Sequence, residues 1–262
     1  MFEGKEKIEG YADLTFERLA FVVCRGGWLQ AIDMKDEEAL KQPRCYYNTF
    51  VHSDINKADN IKKNPKRVGA LMRSYARNQG SLVPKTVLVQ DVANNDETSI
   101  NEETVATYLN ALRKIFVIED MPAWNPNLRS KTAIRSSNTR YYIDPSIAVT
   151  TLGLGPGDLI NDLHTFGFLF ETLCIRDLRI YADSLSGEVY HYRDKDDQEC
   201  DTVIHLRNEK SIDHSFEYCA SIYACFIGLR KVISLLFSAL QDRHSFSLHL
   251  PISSYKLWIA FL

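Results

Sequence analysis

The chain has 262 residues, a formal net charge of −3 and an ordinary apolar content. That length suits one large domain or two smaller ones, and no global basic excess marks a nucleic-acid binder, so any such site must be a local patch. The six cysteines (24, 45, 174, 200, 219 and 225) form no Cys-x-x-Cys pair, and no His pair sits at zinc-finger spacing. A reduced, cytoplasmic chain is expected rather than a disulfide framework.

The N-terminus "MFEGKEKIEG" has no apolar core and does not read as a signal peptide. Residues 1–60 read as helical. "LTFERLAFVVC" places Leu14, Leu19 and Val22 on one face and stops at Gly26–Gly27; a second helix fits 36–50. Residues 65–144 follow the order of a winged helix-turn-helix. Pro65 opens a helix that ends at Gly80, and a short helix fits 85–94. A third helix spans 99–116, with a capping box at Ser99 and Glu102 and a core face of Val105, Leu109, Leu112 and Phe116. "FVIEDM" and "YYID" then read as strands around the basic loop "NLRSKTAIRSSNTR".

Residues 145–210 read as α/β. "GLGPGD" is a turn, 158–185 is one long helix, and "EVYHYRD" and "CDTVIHL" are strands joined by a charged turn. Residues 211–262 lose regular punctuation and gain Ser, Cys, His and aromatics. Their apolar run 219–240 is interrupted by Arg230–Lys231, so neither half reaches the roughly 18 apolar residues of a membrane span.

Three chemistries bear on these residues. Nucleotide binding fails at its nearest match, "QGSLVPKT" (79–86): Gln79 and Pro84 stand where a phosphate loop needs bare glycine backbone. "GLGPG" has neither the lysine nor a preceding strand. No ATP or Mg²⁺ site is therefore expected in this chain.

Nucleic-acid binding has a place in the third helix and the loop after it. Asn101, Thr104, Thr107, Tyr108 and Asn110 are expected to be exposed on that helix, with Arg113 and Lys114 at its end. The loop supplies Arg129, Lys131, Arg135 and Arg140, with no acid between 129 and 140, which suits phosphate contact. The other reading of the same module is a domain-packing or protein-binding element with a solvated basic loop.

Metal-dependent nuclease chemistry of the PD-(D/E)xK type needs a helix acid, a strand Asp and a following Glu-x-Lys around a hard cation. Glu171 and Asp201 are the candidates for the first two. The third should fall near 213–217, where the chain reads "DHSFE", without Glu-x-Lys. No metal ligand set is complete.

"AFVVCRGGW", "LMRSYARNQGSLV", "LRKIFVIEDMPAWNPNLRSKTAIRSS", "YYIDPSIAVTTLGLGP", "TFGFLFETLCIRDLRIYAD" and "ECDTVIHL" resemble a prokaryotic family of AAA-type ATP-binding proteins with a C-terminal domain of unknown function, DUF 4143. The resemblance runs from about residue 1 to about residue 208. It implies an α+β chain of four parts. These are a helical lid remnant at 1–64 carrying Arg25, Gly26 and Gly27, the winged helix at 65–144, a partial nuclease-like core at 145–210, and a divergent tail at 211–262. The expectation is a truncated member without the ATPase core, with a tail that reads like a frame change from about Ser211. Its activity is then DNA or partner binding through the winged helix. The alternatives are a nuclease domain using Glu171 and Asp201, and an interaction module once coupled to ATP turnover.

Overall fold

The computed structural model describes residues 14–96, 100–124, 138–184, 186–193 and 199–206. The expected tail 211–262 and the loop cations Arg129, Lys131 and Arg135 lie outside these residues. The described chain is mostly helical with one two-stranded sheet, an α+β composition. The described residues divide into two compact units, those within 14–19 and 177–206, and those within Ala20–Arg176. The boundaries read from the sequence at 64/65 and 144/145 both fall inside the second.

Helix α1 (Phe16–Arg25) is followed by the short α2 (Leu29–Ile32) and α3 (Asp36–Ala39). Phe21, Val22, Ala31 and Ala39 pack together with Trp28, Met34 and Leu40. The expected helix at 36–50 is instead α3, then α4 (Lys41–Thr49), a π-helical turn (Phe50–Asp54) and α5 (Ile55–Lys57). Tyr46 and Tyr47 both stack against Phe50, at 5.2 and 5.4 Å between ring centroids, fixing the helical end that enters that turn. The chain then wraps around a buried Lys63. Its ammonium donates to Ile55 O and Ile61 O, both at 3.2 Å, and to the Asp59 carboxylate. A buried ammonium is tolerated because all three protons have acceptors.

Helix α6 (Pro65–Arg77) starts where Pro65 needs no N–H partner and the Asn64 side chain accepts from Lys66 N. Val68, Leu71, Met72 and Tyr75 form its buried stripe. Helices α7 (Lys85–Asp96) and α8 (Glu102–Lys114) follow. The expected start of α8 needs correction. Its N-cap is Asn101, whose Oδ1 accepts from Thr104 N at 2.8 Å, so Glu102 is the first helical residue and not the third residue of a Ser99 capping box. The core face is as read: Val105, Leu109 and Leu112 are fully buried. Phe116 leaves that face and is 72 % exposed.

The two strand-like segments beyond α8 meet as antiparallel bridges, Ile118 with Tyr142 and Met121 with Thr139, rather than as full strands. Glu119 N to Tyr141 O and the reciprocal pair between Met121 and Thr139 hold them together. Helix α9 (Pro145–Leu152) follows at once and closes on Gly153 in the left-handed region. The single helix expected over 158–185 is two, α10 (Pro156–Asn161) and α11 (Leu163–Ser184). Asp162 interrupts it by accepting from Thr165 N and Thr165 Oγ1, which caps the second helix.

In the first unit, β1 (Gly187–Arg193) pairs antiparallel with β2 (Glu199–Leu206), Gly187 opposite Leu206 and Tyr190 opposite Val203, with a register shift between Tyr190 and Tyr192. Among the described residues no helix is long and apolar enough to cross a membrane.

Candidate functional site

Arg25–Gly26–Gly27 is built into a polar lock. Gly26 takes φ +74, which suits glycine, and a Cβ there would overlap Ser146 Oγ and come within 2.5 Å of Asp144 Oδ1. Gly27 N donates to Asp144 Oδ2 at 2.9 Å, and Arg176 Nη1 donates to the same oxygen at 2.7 Å. Ser146 N and Ser146 Oγ donate to Asp144 Oδ1 at 2.9 and 2.6 Å. Trp28 Nε1 completes the set by donating to Ser146 Oγ at 2.9 Å. An ionised carboxylate has about four lone-pair sites. Four donors from this chain fill them on Asp144, so the carboxylate is committed to joining the end of α1, the start of α9 and the middle of α11. The sequence reading singled out the glycines and missed Asp144, Ser146 and Arg176. The signal was present in "YYIDPS": Asp before Pro and Ser is an N-cap followed by a first-turn proline.

Glu171 is also engaged structurally. Tyr141 Oη donates to its Oε1 at 2.5 Å, and Gly80, at φ +70, lets the backbone approach; a Cβ there would lie 3.2 Å from that oxygen. Asp201 is half-buried in β2. Glu171 belongs to the second compact unit and Asp201 to the first. Among the described residues no three His, Cys, Asp or Glu side chains cluster as metal ligands would.

The nominated nucleic-acid residues separate into two groups. Asn101 is a cap, as described. Arg113 pairs with Asp120, Nη2 to Oδ2 at 2.5 Å, and with Asn110 Oδ1 at 3.0 Å. Asp120 in turn accepts from Tyr75 Oη at 2.5 Å. Burial and the adjacent Asp120 push the Tyr75 phenol well above its usual range, so it is a donor throughout the physiological range. Arg140 is turned inward, only 7 % exposed. Its Nε and Nη2 both donate to Val83 O, at 2.9 and 2.6 Å, and its guanidinium sits 5.8 Å from the centroid of the Tyr75 ring. It fixes the 78–83 turn rather than meeting phosphate. Tyr108, expected on the exposed face, is buried and accepts from Asn64 N at 3.2 Å. Thr104 is half-buried, and Lys114 is exposed at the end of α8.

The family described as Domain of unknown function (DUF8612) matches residues 16–158, more than half of the chain. This chain belongs to that family. The DUF8612 match runs from α1 into α10, so it takes in Arg25–Gly26–Gly27, Asp144, Ser146, α8 and the bridged segments. Arg176, Glu171 and Asp201 lie beyond it. No curated protein and no solved structure matches the chain.

Proposed function

We propose that residues 65–144 act as a winged-helix module that binds nucleic acid through its loop cations and the C-terminal end of α8. The observation that carries this reading is the order of α6, α7 and α8 followed by the antiparallel bridges Ile118–Tyr142 and Met121–Thr139. Those bridges bracket a sequence run with Arg129, Lys131 and Arg135 and no acid. The charge along α8 supports the same end of the helix. Glu102 and Glu103 are exposed in its first turn and repel phosphate, whereas Lys114 is exposed at its close.

The segments resembling the AAA-type family with DUF 4143 extend the proposal. Residues 1–64 would then correspond to that family's helical lid and 145–210 to its nuclease-like core. In that setting the module would be coupled to ATP turnover. The experiment is to neutralise Arg129, Lys131 and Arg135 together and measure DNA binding over a salt series. Three lost phosphate contacts should reduce the salt slope by about 2–3. Unchanged affinity and slope in the triple variant would refute the loop-led reading. No binding by the parent at low salt would replace nucleic acid with a protein partner.

A further inference from the structure

Phe116 holds a position that glycine usually takes. The last turn of α8 is closed by Phe116 N donating to Arg113 O at 3.1 Å and Val117 N donating to Leu112 O at 3.0 Å. This double closure requires a left-handed residue between the helix and the departing chain. Phe116 supplies it with φ 54, a conformation unfavourable for a bulky side chain and free for glycine. It is largely exposed and has no aromatic partner among the described residues, whereas Tyr75, in the same unit, packs edge-on against Tyr142 at 5.2 Å.

The backbone beneath the ring is fixed. Leu112, Val117 and Ile118 are buried on either side of it. A flat apolar ring is therefore held outward at the end of a rigid helix, two residues from the exposed Lys114. Electrostatics alone does not define a ligand at this point. Arg113 is paired with Asp120, and Glu119 is exposed three residues further on. The distinguishing chemistry is the ring face.

We propose that Phe116 is a stacking platform for an unpaired nucleic-acid base, with Lys114 meeting the neighbouring phosphate, so that the ligand class of the module is single-stranded nucleic acid. The inference rests on the nucleic-acid reading of 65–144. A base inside a duplex has both faces occupied by its neighbours and offers no surface to an isolated ring. A single strand does, and stacking of this kind tolerates any base.

The test uses the full chain, a short labelled oligothymidylate and a duplex of the same length, read by fluorescence anisotropy across a salt series. The parent should bind the single strand more tightly than the duplex. Phe116→Gly should keep its thermal stability, bind the single strand about tenfold more weakly, and leave the salt slope unchanged. Phe116→Trp should retain binding. Equal single-strand affinity in Phe116→Gly, or a parent that prefers duplex, would overturn the platform while leaving the winged-helix reading in place. Binding to neither probe would remove both.

Discussion

Gly26→Ala tests whether the Arg-Gly-Gly motif is a structural lock or an exposed contact. At φ +74 a side chain costs about 1–2 kcal/mol from backbone strain alone. The new Cβ would also overlap Ser146 Oγ and press on Asp144 Oδ1. One hydrogen bond to that charged carboxylate must then lengthen or break, at about 1.5–3 kcal/mol. The sum is a destabilisation of roughly 2.5–5 kcal/mol, a large part of a typical domain's stability. Urea denaturation followed by tryptophan fluorescence reads it as a lower midpoint at unchanged m. Gly157→Ala is the control, because nothing lies within 4 Å of the position a Cβ would take there. It should be neutral or stabilising by up to about 1 kcal/mol. A Gly26→Ala variant within about 0.5 kcal/mol of the parent would refute the lock, since an ordinary surface change has that size.

Three further outcomes follow from the same geometry. Leu109 is fully buried on α8, so Leu109→Ala should cost roughly 2–5 kcal/mol by denaturation. The Lys63 side-chain hydrogen bond, the largest influence, acts with the smaller Ile61 backbone hydrogen bond to outweigh burial and hold the Asp59 carboxyl below its ordinary value. A depressed carboxyl contributes stability above its unfolded pKa of about 3.9 and loses it as pH falls through the folded value. Denaturation midpoints measured from about pH 6 downward should therefore fall below about pH 4, and Lys63→Met should lose this part of the acid sensitivity. Burial first, and Asp158 second, push the Cys24 thiol up to about 12, whereas Cys45 is exposed. Iodoacetamide at about pH 8 should label Cys45 in the folded chain and spare Cys24 until denaturant is added, as peptide mapping by mass spectrometry would show.

The sequence was most legible where local chemistry and tertiary packing agree. Pro65 opens α6 because its missing N–H costs nothing there, and the spacing of Val105, Leu109 and Leu112 names a core face that is buried. The strands 187–193 and 199–206 were readable from β-branched and aromatic alternation. Errors arose where a polar side chain serves its own backbone. Ser99 was read as opening α8, which Asn101 caps; Asp162 was read as mid-helix and divides α10 from α11. Tyr108 sits three residues after Val105 and four before Leu112, so its burial could have been read from the same stripe. The inward turn of Arg140 could not, because its acceptor, Val83 O, is 57 residues away in the chain. The Asp144–Arg176 pair, 32 residues apart, is equally nonlocal. Charge counting along a loop cannot separate a cation that meets solvent from one that folds back onto a carbonyl.

The most direct measurement of the central claim is the affinity of the full chain for a short DNA strand as a function of salt. The account predicts binding at low salt that weakens linearly in log–log form. With Arg129, Lys131, Arg135 and Lys114 on phosphates, the slope should be about −3. A chain that binds no strand at low salt, or binds with a slope near zero, would contradict it.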